Sequence, residues 1–157
     1  FPQLLGSQND MATIRLGECM TAKEWLNRGR ALNKTIEGLE KAKARAYDIA
    51  VGTAAELTEK VQESHGNSVE DRLVTYADYC RDIDKHKTEL FKILKEITGV
   101  IMKVEDPTLR NLLIYRYLDF ETWESIAVMM NYSYVHVVHN LHPKAMEKIK
   151  ELIVFNT

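Results

Sequence analysis

From Trp25 onward, one class of position recurs at alternating spacings of four and three. It comprises Trp25, Gly29, Leu32, Ile36, Leu39, Lys43, Ala46 and Ala50. That period puts these residues on one face of a helix as a heptad seam, with weak points at Gly29 and Lys43. Thr21 supplies a capping hydroxyl, and Glu24 three residues later completes a capping box. With Gly52 as its stop, the pattern predicts a helix over 21–51, about 47 Å long. A second seam is more regular: Val69, Leu73, Tyr76, Cys80, Ile83, Lys87, Leu90, Leu94, Ile97 and Ile101. Gly66-Asn67 signals a turn before it, and Ser68 with Asp71 caps it. It predicts a helix over 68–103, about 54 Å long. Two long helices with a short connection predict an antiparallel hairpin. Phe91 and Ile93 widen the second apolar stripe beyond what one partner helix covers, which predicts a homodimer through the long helices.

Asp106-Pro107 then opens a different pattern, a capping aspartate followed by a proline at the first helical position. The segment 108–118 predicts a helix with Leu109, Leu112, Leu113 and Tyr117 on its inner face. Asp119, Phe120 and Glu121 break it. Thr122 caps a short helix, WESIAVMM, that ends at Asn131, a residue suited to a left-handed terminator. Ser133 caps the next helix, which begins YVHVVHNL. Trp123 and Ile126 are predicted to be core. Three helices with a tight turn between the last two are the layout of a helix-turn-helix. On a regular helical wheel, the buried stripe of the last helix is Tyr134, Val138, Leu141, Ala145 and Ile149. His136, Asn140, Pro143 and Glu147 then face outward, bordered by His139 and Lys144, with His142 nearer the core edge. Pro143 marks a kink or a fresh helix start.

Composition agrees with this picture. The 157 residues contain three prolines, none between Gln3 and Asp106, so the turn residues of an all-β chain are missing. The fold class is all-α. No apolar run is long enough to span a membrane as a helix. Two cysteines, Cys19 and Cys80, form neither a disulfide framework nor a paired metal motif, in keeping with a cytoplasmic protein. Residues 1–19 have no helical period and no signal-peptide pattern, and are expected to be a disordered leader or added sequence. The expected organisation is a hairpin over 20–104 that dimerises and a helix-turn-helix over 105–157.

The residues MTAKEWL (20–26), IYRYL (114–118), TWESIA (122–127), NYS (131–133) and LHPKAMEKI (141–149) carry a resemblance. The chain resembles a phage and prophage family of Gram-positive bacteria. Its members join long helices to a C-terminal module like region 4 of bacterial sigma factors. It is similar to RinA/ArpU-type phage late-transcription regulators. The resemblance implies double-stranded DNA binding and transcription control, with RNA polymerase as a further partner, in the cytoplasm of the bacterial host. Three departures stand out. Only Lys144 is basic in 133–144, the distance from Ser133 to Ala145 is one residue longer than such modules imply, and Pro143 falls where the helix should continue.

The candidate DNA contacts follow from the wheel and the caps. His136, His139 and Asn140 point toward bases, and Lys144 toward a base or phosphate. Tyr134 is placed for a phosphate or a thymine methyl, while Thr122 and Ser133 offer hydroxyls at helix N-termini. Charge is the weak point of this reading. The net charge is −2, and the C-terminal segment has as many acidic as basic residues. A basic group on the first helix (Arg28, Arg30, Lys34, Lys41, Lys43, Arg45) reads as a solvated face balanced by Glu37 and Glu40. No catalytic constellation, cofactor motif or complete metal-ligand set appears, so neither an enzyme nor a cofactor is predicted. The alternatives are a protein-interaction module for RNA polymerase or another phage protein, and a DNA-packaging accessory.

Overall fold

A computed structural model describes residues 20–56 and 68–154. All regular structure among them is helical. Helix α1 (Ala22–Glu56) and helix α2 (Val69–Ile101) are about 52 and 50 Å long. Helix α3 (Pro107–Leu113) runs on into a π-turn (Ile114–Leu118). Helix α4 (Trp123–Met130) follows. Helix α5 has three parts: an α-turn (Tyr134–His136), a second π-turn (Val137–Leu141) and an α-helical segment (His142–Val154). No described helix is long and apolar enough to cross a membrane. The expected leader, 1–19, and the turn at Gly66-Asn67 lie outside the described residues.

Local chemistry sets most of the boundaries. The Thr21 N–H donates to Glu24 Oε2 at 2.6 Å and the Glu24 N–H donates to Thr21 Oγ1 at 3.3 Å, a reciprocal capping box. Ser68 Oγ accepts from the Asp71 N–H at 3.1 Å. Asp106 Oδ1 accepts from the N–H groups of Thr108 and Leu109, with Pro107 in the first turn. Gly52 does not stop α1, which continues to Glu56. A lone glycine costs a helix only about 1 kcal/mol, too little to end it without a left-handed turn.

The hairpin is antiparallel. Arg28 pairs with Glu96 at 3.0 Å, Glu40 with Lys87 at 2.7 Å, and the rings of Tyr47 and Tyr76 lie 5.6 Å apart. The close contact of the two helices explains Gly29 of the α1 seam and Lys87 of the α2 seam, while Lys43 has no such explanation. Gly29 lies where the helices approach closely: a Cβ there would meet Leu94 Cδ2 at 2.9 Å. Lys87 occupies a seam position because its ammonium reaches across to Glu40. The basic residues of α1 are therefore balanced partly from α2, through Glu96 on Arg28, rather than by Glu37 and Glu40 alone. Glu37 instead accepts from Asn33 at 2.8 Å. The α2 seam buries Ile83, Ile97 and Ile101 inside the chain, while Leu73 at its start is exposed.

One core joins the hairpin to the C-terminal helices. Trp25 and Leu26 of α1 and Ile97 and Ile101 of α2 pack with Leu109, Leu112, Leu113, Tyr117, Ile126, Val137, Ala145 and Ile149. Among the described residues, the far end of the hairpin consists of the two long helices alone, and Tyr47, Ile49, Val51, Leu73 and Val74 are exposed there. This continuity has a thermodynamic consequence. Ile97 is fully buried, so Ile97→Ala should cost about 2–5 kcal/mol. In urea, helicity and the fluorescence of Trp25 and Trp123 should shift to the same lower midpoint. Two separated transitions would show that the hairpin and the C-terminal helices unfold independently.

Candidate nucleic-acid interface

Helices α4 and α5 are held at a fixed angle by caps and a left-handed turn. Thr122 Oγ1 accepts from the Ser125 N–H at 3.2 Å, and Ser133 Oγ accepts from the His136 N–H at 3.2 Å. Asn131, at φ 58°, reverses the chain, and the Tyr132 N–H donates back to the Ala127 carbonyl at 3.0 Å. Asparagine tolerates that conformation at little cost. Ile126 and Ala127 of α4 are buried, whereas Val128 and Met129 are exposed.

The register of α5 differs from a regular wheel. Its buried residues are Val137, Leu141, Ala145, Ile149 and Ile153, together with His142. Val138 is only half-buried and Tyr134 is exposed, so neither is the core residue that the regular wheel predicts. The cause is the π-turn, in which the His142 N–H donates to the Val137 carbonyl five residues back. The wider turn takes up one extra residue. Counting back two α-turns from Ala145 lands on Val138, and the additional residue moves the inward position to Val137. The π-turn thus sets eight residues' spacing between the inward Val137 and Ala145, where two regular α-turns take about seven. The same break places Pro143 in the first turn of a new α-segment, where its missing N–H costs nothing.

The outward face moves with the register. Val135, 64% exposed, and His139, exposed, lie opposite Val137. Asn140 and Lys144 are exposed as well. His136 is half-buried, with its ring 5.1 Å from that of Tyr132, and Asn140 Nδ2 lies 3.3 Å from its Nδ1. An asparagine amide bonded once still offers one N–H and its carbonyl oxygen. The structure thus gathers Tyr134, His139 and Asn140 at the exposed start of α5, turns His136 partly inward, and leaves Thr122 and Ser133 as caps. Lys144 lies one turn further along. Val135 was missed in the sequence. The one signal in the sequence was Pro143, which marks a break in the helix but not the direction in which the residues before it rotate.

His142 points the other way. Its residue is 8% exposed, and its Nε2 shares a 2.7 Å hydrogen bond with Tyr117 Oη. Its ring lies edge-on to Trp123, 4.7 Å between centroids. The histidines at 136, 139 and 142 therefore share no common site, and no group of three potential ligands for a metal occurs among the described residues. Burial, with smaller contributions from the charges of Lys23 and Arg116, lowers the His142 imidazole to about 4. Burial raises the Tyr117 phenol to about 12.

Two arginines near the site are committed to structure. Arg116 Nη1 donates to the Glu121 carbonyl at 2.9 Å, and its guanidinium lies 4.2 Å over the half-buried Trp123 ring. Arg30, from α1, donates to the carbonyls of Glu121 at 3.3 Å and Arg116 at 3.4 Å. Together they hold the loop 119–121, where Phe120 has φ 59°. A bulky side chain in that region costs about 1–2 kcal/mol, which these bonds offset. Burial first, then the charge of Arg30, lowers the Arg116 pKa. Compared with known proteins, the chain matches no family model, no curated protein and no solved structure.

The buried imidazole makes stability depend on pH. The folded pKa near 4 lies below the ordinary 6.5, so the unfolded chain takes up the proton first. The contribution is intact above pH 6.5 and is lost as pH falls toward 4, by about 3 kcal/mol in all. A protonated Nε2 can donate to Tyr117 Oη, so the contact survives in either charge state and the loss reflects buried charge. His142→Gln should be less stable at neutral pH and should lack this component. Denaturation of both proteins at pH 7.5 and pH 4.5 checks it: an equal drop in both would exclude His142 as the source.

Proposed function

We propose that the chain binds double-stranded DNA through α4, the turn at Asn131 and α5, and acts in transcription control in the manner of phage regulators. One observation carries this reading. The first two turns of α5 are packed on α4 through one side only, so Tyr134, Val135, His139 and Asn140 stand clear of the fold. A capped helix of that exposure fits a major groove. Lys144 supplies a phosphate contact, and the helix N-termini capped by Thr122 and Ser133 face the backbone with their free N–H groups. The proposed setting is the bacterial cytoplasm.

Charge sets what the binding should look like. From Tyr117 to Pro143 the chain has no lysine or arginine, and Arg30 and Arg116 are occupied. Few counterions are released, so the salt dependence should be shallow. A homodimer would make up the affinity by joining two weak sites. The exposed apolar residues at the far end of the hairpin, Leu73 of the α2 seam among them, are the surface proposed for that contact, since Ile83, Ile97 and Ile101 of that seam are already buried within the chain.

Exposed Val128 and Met129 on α4 favour a second reading, a docking surface for a protein such as RNA polymerase. The two are separated by anisotropy titration of phage and host genomic fragments at several salt concentrations. On the DNA reading, Lys144→Ala weakens all sequences alike and reduces the slope of log affinity against log salt by about 1. Asn140→Ala costs about 1–3 kcal/mol at one base position and relaxes preference there. Absence of binding to any fragment at low salt would overturn the DNA reading and leave the protein-docking one.

A further inference from the structure

The start of α5 exposes a chemically narrow set of side chains. Val135 and Tyr134 are apolar and aromatic, Asn140 is an amide and His139 an imidazole, and all four are solvent-exposed. No guanidinium or ammonium stands among them; the next cation on α5, the exposed Lys144, lies one turn beyond Asn140 and is given to a phosphate on the reading above. Arg116, in the helix before α4, is bonded to the Glu121 carbonyl and stacked on Trp123. The four bases present different groups in a major groove. Guanine offers two acceptors, N7 and O6, which call for the paired donors of Arg or Lys. Thymine offers a C5-methyl group, matched by an apolar side chain. Adenine offers an acceptor and a donor, matched by Asn. The exposed set contains the partners for thymine and adenine and lacks the preferred partners for guanine.

Position sharpens the argument. Val135 lies opposite Val137, the residue that anchors the first turn of α5 in the core. It is therefore the most exposed large apolar side chain at the helix start. A branched apolar group held there gains by covering another apolar group and gains nothing from a phosphate. We propose that this face, on the DNA-binding reading given above, selects thymine and adenine over guanine. Val135 packs on thymine methyl groups as a specificity-determining residue, and Asn140 pairs with adenine.

The test uses the full chain. Binding duplexes are selected from a random pool, and the best is remade with each thymine in turn replaced by deoxyuridine, which removes only the methyl group. Thymine and adenine should dominate the contacted positions. One or two of the replacements should each weaken binding roughly fourfold, the worth of one buried methyl. Val135→Ala should bring the thymine-to-uracil ratio at those positions close to one. Val135 is exposed, so the variant should keep its helicity and melting temperature. Val135→Thr keeps one methyl group and should retain part of the discrimination. A selected site centred on guanine, or affinities indifferent to every deoxyuridine, would overturn this inference while leaving DNA binding in place. Failure to select any duplex would overturn the DNA-binding reading and this inference together.

Discussion

The missing N–H of Pro143 is the constraint on which the C-terminal helix depends. Proline inside a regular helix removes one hydrogen bond and drives its ring against the carbonyl four residues back. The chain avoids both costs by widening the preceding turn, so that Pro143 opens a new helical segment. The wider turn rotates everything before it by about one residue. Val137 goes into the core, and Val135 and His139 go out. His142, directly after the turn, lies against Tyr117. A change confined to the backbone ladder thus decides which side chains of α5 are exposed.

Tyr117 and His142 link the two π-turns through a buried polar contact. Each is expensive to bury alone, and each offers the other its hydrogen bond. Trp123 closes one side of the imidazole, and Arg116 lies over the same indole. Arg116 then reaches the loop before α4, which Arg30 of the hairpin also grips. The long helices are therefore not a detached stalk. Their paired ends form part of the platform on which α4 and α5 stand, and Trp25, Leu26, Ile97 and Ile101 belong to the same core.

This arrangement also accounts for the low charge of the exposed face. Cationic side chains are available nearby, but holding a left-handed Phe120 and an open loop requires donors aimed at carbonyls. Arg30 and Arg116 serve that purpose. What remains at the start of α5 is apolar, aromatic and neutral-polar. On the proposed DNA-binding reading, affinity rests on shape, base contacts and multiplicity rather than on counterion release.

The helices themselves were legible in the sequence, because capping and periodicity are local. Thr21 with Glu24, Ser68, Asp106 with Pro107, Thr122, Asn131 and Ser133 each act through bonds within four residues, and each stands where its residue type predicts. The α2 seam named Ile83, Ile97 and Ile101, and the α3 pattern named Leu109, Leu112, Leu113 and Tyr117. Leu73 and Gly52 departed from the pattern because neither exposure at a helix end nor continuation past a glycine is fixed by period alone. Tertiary structure decided three further things. It assigned the α2 seam to α1 of the same chain, with Gly29 as the point of close approach. It merged hairpin and C-terminal helices into one core. It set the rotation of α5, because a π-turn and a surplus residue look the same in sequence as a regular helix with a misplaced proline. Only the packing of Val137, Leu141 and His142 against α3 and α4 selects between them.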